Sequence, residues 1–109
     1  MATSYKVLGQ SAPSATTNTD VYTVPAATET VISTVIIANR AATAGTFRLA
    51  VRPNGAAIAD QHYLAYDIPI AANDSTTLTL GITVDATDVI TFYASSANMS
   101  INLFGSEIS

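Results

Sequence analysis

The sequence predicts an all-β fold: one antiparallel β-sandwich or jelly roll of about eight strands. Three observations predict it. Apolar and small polar residues alternate along most of the chain, the period of a half-buried strand. The composition favours Val, Ile and Thr, whose branched side chains suit a pleated surface, over helix formers other than Ala. Short runs rich in Asn, Asp, Gly and Pro punctuate the alternation at turn spacing. At 109 residues the chain has room for one domain with a single core.

The first strand is expected near 4–9. The segment Gly9–Thr19, Gly-Gln-Ser-Ala-Pro-Ser-Ala-Thr-Thr-Asn-Thr, is small, polar and uncharged, so it cannot build a core of its own. Residues 1–19 therefore read as an N-terminal strand and extended arm, and 20–109 as the sandwich. A strand at 20–24 ends in the small-residue loop that begins at Pro25. The strand at 29–39 contains the longest apolar run, Val35-Ile36-Ile37-Ala38. After the loop Ala41–Gly45, the strand at 46–52 sets Phe47, Leu49 and Val51 against Arg48 and Arg52. Pro53-Asn54-Gly55 is a turn, and 55–60 reads as a loop.

A strand at 62–68 is expected to carry His62, Leu64, Tyr66 and Ile68 on one face, with Ile70 continuing it. Ala71–Asp74 breaks the pattern. The alternation is cleanest at 76–83, where Leu78, Leu80, Ile82 and Val84 share a face with Thr79, Gly81 and Thr83 opposite. Asp85–Asp88 connects to a strand at 88–95. Ser96-Ala97-Asn98 precedes the last strand, 99–107, with Met99, Ile101 and Leu103 as its apolar set.

Composition narrows the function. Lys and Arg total 4 against 8 Asp and Glu, a net charge of −4. Nucleic-acid binding requires clustered basic residues, so no nucleic-acid partner is expected. With no Cys and one His, disulfides and Cys- or multi-His metal centres are excluded within the chain. No apolar run approaches a membrane span, and the first residues lack the basic-then-apolar pattern of a secretory signal. Only 11% of residues are charged, against about 25% in a typical soluble domain. The shortfall predicts that other subunits cover part of the surface.

No residue cluster predicts chemistry. His62 has Asp60 and Asp67 nearby in sequence, but no nucleophile motif accompanies it; the competing reading is a histidine at a strand end or subunit contact. The Asp residues sit mostly in turns, where Asx hydrogen bonding explains them. Asp85 and Asp88 could offer oxygen ligands to calcium, without the acidic density of a dedicated loop. No glycine-rich phosphate cradle is present. No catalytic residue, metal site or cofactor is therefore expected. Tyr5, Tyr22, Tyr63, Tyr66 and Tyr93 suit a binding face, though the chain has no Trp. Arg40, Arg48 and Arg52 hold three of the four basic residues within thirteen positions. Arg favours bidentate interface pairs, so these three are the candidate assembly contacts; a solvated strand face is the alternative.

Val21-Tyr22-Thr23-Val24-Pro25-Ala26, Ile36-Ile37-Ala38-Asn39-Arg40, Thr46 to Gly55 (Thr-Phe-Arg-Leu-Ala-Val-Arg-Pro-Asn-Gly) and Asn102-Leu103-Phe104-Gly105-Ser106-Glu107 together resemble small all-β structural proteins of tailed bacteriophages, of the marine and cyanobacterial type. The resemblance spans residues 20–107 and carries no catalytic motif. It implies a virion component assembled in the bacterial host cytoplasm. The expected role is a non-enzymatic capsid decoration or cement protein: a homotrimer that binds the major capsid protein and holds the expanded head by mass action. The arm at 9–19 would reach a neighbouring subunit. The alternatives are a tail, neck or fibre-associated virion protein and a carbohydrate-binding module.

Overall fold

A computed structural model describes residues 2–109. Among these residues nine strands form in order: β1 (Thr3–Ser11), β2 (Thr19–Thr23), β3 (Glu29–Asn39), β4 (Gly45–Arg52), β5 (Tyr63–Ile70), β6 (Ser75–Leu78), β7 (Ile82–Val84), β8 (Val89–Ala94) and β9 (Met99–Ile108). Single 3-10 turns at Pro53–Gly55 and Asp60–His62 are the only helical geometry among the described residues. One sheet has the order β1-β9-β3-β6, with β7 also on β3; the other has the order β2-β8-β4-β5. Every pairing is antiparallel. The chain changes sheet at each connection except β4–β5 and β6–β7, and with β6 and β7 taken as one interrupted strand this is the jelly-roll order.

The core lies between the sheets and is built from the predicted alternation. Phe47 and Leu49 of β4, Ile90 and Phe92 of β8, Ile32, Val35 and Ile37 of β3, and Met99, Ile101 and Leu103 of β9 are all fully buried. The Phe47 and Phe92 rings pack tilted with centroids 6.1 Å apart. Asn39 is buried at the end of β3, and its amide is fully used. Its Nδ2 donates to the carbonyls of Thr43 (3.0 Å), Ile70 and Ala71 (both 3.2 Å), and its Oδ1 accepts the Ala41 N–H. One buried polar side chain thereby fixes the β3–β4 loop to the end of β5, without an unsatisfied group.

Three expectations are corrected. The strand predicted at 76–83 is two. β6 pairs with Val35–Ala38 and β7 with Thr30–Ile32, and between them Gly81 takes φ +63°. The interruption faces a bulge in β3, where Ser33 is the extra residue against β9. Leu80 leaves the apolar face and is half exposed.

The single face expected for β5 is also broken. Two residues, Tyr66 and Asp67, oppose Arg48 alone, and Asp67 has φ +52°. Such a bulge shifts the side-chain phase. Leu64 and Tyr66 turn to solvent while Ala65 packs against the core. Finally, the arm expected at 9–19 is divided. Gly9–Ser11 extends β1 against β9, and 12–18 crosses to the other sheet, with Pro13 buried and the Thr16 N–H donating to the Ala94 carbonyl at 2.8 Å.

Candidate functional site

The outer face of the four-stranded sheet carries Arg48 and Arg52, which alternate with core residues on β4 as the sequence predicts. The Arg48 guanidinium lies between two tyrosine rings, 4.1 Å from the Tyr66 centroid and 4.3 Å from that of Tyr93. Tyr93 is its direct cross-strand partner on β8. The bulge places Tyr66 on its other side and presents Asp67, whose Oδ1 accepts the Arg48 Nε–H at 2.7 Å. The Asp67 hydrogen bond holds the guanidinium proton more firmly than usual. Tyr63 packs edge-on against Tyr66, with centroids 4.9 Å apart. The result is an aromatic–cation stack, and Leu64 and Ile68 are exposed elsewhere on the same edge strand. The guanidinium takes one face of both Tyr66 and Tyr93.

Arg52 serves its own chain. Its Nη1 donates to the carbonyls of Gly55 (3.1 Å) and Ala56 (2.9 Å), its Nε to Thr91 Oγ1 (3.0 Å) and its Nη2 to Asp20 Oδ1 (2.8 Å). It ties the turn after β4 to β8 and β2. Arg40 is not brought to this face. It follows β3 of the other sheet, with its backbone N–H on the Asn98 carbonyl and its Nη2 on the Ala97 carbonyl. Of the three candidate assembly residues, Arg48 and Arg52 share a face and Arg40 stands at the end of the sandwich.

The remaining candidates are occupied by local structure. His62 is buried at the start of β5, and its Nδ1 accepts the Ala59 N–H at 3.1 Å. Asp88 accepts the Asn54 and Asp85 N–H groups, and Asp85 accepts that of Ala86. Among the described residues, no three His, Asp or Glu side chains converge to hold a metal ion.

Sequence reasoning missed a polar chain at one end of the sandwich. Glu107 of β9 accepts from Lys6 of β1 and from the Tyr22 hydroxyl of β2. Tyr22 has one proton, so Thr30 Oγ1, 2.8 Å away, donates to it. Burial, with help from Glu107, pushes the Tyr22 phenol up to about 12. Lys6 first, then Tyr22, holds the Glu107 carboxyl below the usual range. Residues so distant in sequence leave no spacing signal.

The outer face of the five-stranded sheet bears Tyr5, Val7 and Phe104. Tyr5 and Phe104, with Val31, Ser33, Gly105 and Ser106, line a shallow hollow of about 420 Å³. Tyr5 is 85% exposed. Compared with known proteins, the chain matches no family model and no curated sequence.

Proposed function

We propose that this chain is a non-enzymatic structural protein of a tailed-phage virion, a capsid decoration or cement protein that stabilises the expanded head through oligomeric contacts. The observation that carries the reading is the exposure of large apolar side chains along edge strands of both sheets: Tyr5 and Val7 on β1, and Leu64, Tyr66 and Ile68 on β5. Free soluble domains keep such patches small, and larger ones mark interaction surfaces. Few charges are available to offset them, 12 Lys, Arg, Asp and Glu in 109 residues. The sequence resemblance to phage structural proteins supplies the setting, and the jelly roll is an architecture that capsid domains use, an analogy of fold alone. Stabilisation follows from linkage: a protein that binds only the expanded shell deepens that state, and the gain is multiplied over the lattice.

Quantitative mass spectrometry of purified virions, scaled to the major capsid protein, tests this. A copy ratio near one is expected for a cement protein. A few copies per particle would move the chain to the tail, neck or fibres. Absence from the particle would refute the virion reading and favour a free binding module.

A further inference from the structure

We propose that β1 is a self-association edge, on which a second copy of this chain pairs antiparallel about a twofold axis at Tyr5. Among the described residues the two sheets have four edges, and three are guarded. β5 carries the Asp67 bulge and Pro69, β6 and β7 are short and interrupted, and β2 has five residues and a bulge of its own. Bulges, prolines and short length are the usual defences of a sheet edge. β1 is nine residues long; its own bulge, at Leu8, lies beyond Thr3–Val7, and those five residues are all exposed. Its one charge, Lys6, is paired with Glu107 of its own chain.

The backbone pattern and the charges together select the register. Ala2 and Ser109 exchange both of their N–H···O bonds, so with β9 in register the next such pairs are Ser4 with Glu107 and Lys6 with Gly105. Thr3, Tyr5 and Val7 are the intervening residues, and their N–H and C=O groups point away from β9, to the free edge. These six groups are self-complementary. An axis at Tyr5 sets Tyr5 against the second copy's Tyr5 and Thr3 against its Val7, and every group finds a partner. The charges agree with this register, since Lys6 then lies opposite Ser4 of the second copy. An axis one residue further on, at Lys6, would oppose the two lysines and pair only the groups of Tyr5 and Val7, leaving those of Thr3 opposite Gly9 beyond the bulge. The Tyr5 rings meet on the outer face, and the two five-stranded sheets become continuous.

A strand pair of this length buries less than the roughly 1,600 Å² of a standard interface, so the contact is weak in isolation and is reinforced where many copies are arrayed. It is isologous, so it cannot close a trimer by itself; within a threefold oligomer it would join one oligomer to the next.

Analytical ultracentrifugation over a concentration series, with native mass spectrometry, gives the first readout. Reversible doubling of mass is expected, from the protomer or from a larger unit. Val7→Pro removes an edge-facing N–H that no bond within the chain uses, so it should weaken the doubling at least about tenfold while the melting curve stays cooperative. The register is read independently by single cysteines in this Cys-free chain. Under oxidation Tyr5→Cys should cross-link to its own copy, because directly opposed Cα atoms lie within disulfide range, and Ser4→Cys and Lys6→Cys should not. Wild type that never doubles overturns the proposal and leaves the edge to a strand of another protein. Doubling that ignores Val7→Pro, or cross-linking without preference for position 5, overturns it equally.

Discussion

The Tyr22 hydroxyl of the four-stranded sheet donates to the Glu107 carboxylate of the five-stranded sheet, joining positions 85 residues apart. Thr30 on β3 and Lys6 on β1 complete the chain. Four strands from both sheets thus meet in one hydrogen-bonded line at the end of the core.

Tyr22→Phe removes the central hydroxyl and strands the buried Thr30 hydroxyl. The loss should be about 1–3 kcal/mol, read as a lower urea midpoint with an unchanged m-value. Removing both hydroxyls, Tyr22→Phe with Thr30→Val, should cost less than the sum of the two single changes, because no orphan then remains. Strict additivity would show that the line does not act as a unit.

The same line sets a pH dependence. The Tyr22 phenol is raised from 10.0 to about 12 by folding, so its contribution is complete below pH 10 and is lost as pH climbs through that interval. Glu107 is lowered, so its contribution is complete above the ordinary carboxylate range and fades as pH falls through the folded value. Melting temperature against pH should therefore drop on the alkaline side less steeply for Tyr22→Phe than for wild type. Parallel alkaline limbs would contradict the assignment.

Arg52 and Arg48 should separate by role. Arg52→Ala frees two loop carbonyls and two side-chain partners, and a cost of about 1–3 kcal/mol is expected. Arg48 is held by two rings and one exposed carboxylate. Arg48→Ala should lower the melting temperature by less than Arg52→Ala does. Thermal scans of the two variants side by side decide it, and the reverse order would refute the intrachain role given to Arg52.

Two glycines offer a test of the backbone. A Cβ on Gly105 would clash with the Val31 carbonyl oxygen, whereas one on Gly81 meets nothing within 4 Å but sits at φ +63°. Gly105→Ala must push β9 from β3 and should cost about 1–3 kcal/mol through overpacking. Gly81→Ala should cost only the left-handed strain, about 1–2 kcal/mol, with no change in packing. Amide exchange should quicken along β3 and β9 in the first variant and only near residues 79–82 in the second.

The sequence by itself determined the fold class and most strand positions. Period-two alternation of β-branched and small polar residues is a local signal, and the buried faces at Phe47–Val51, Ile90–Phe92 and Met99–Leu103 follow from it directly. It also placed Arg48 and Arg52 on one face, since alternate residues of a strand must share a side. Tertiary structure alone decided the rest. The bulges at Ser33 and Asp67 reverse the side-chain phase through pairing with a neighbouring strand, so Leu64, Leu80 and Tyr66 could not be called exposed from their own alternation. The Tyr66–Arg48–Tyr93 stack and the Lys6–Glu107–Tyr22–Thr30 line depend on which strands become neighbours. That order is set by packing two sheets around one core, and no run of consecutive residues encodes it.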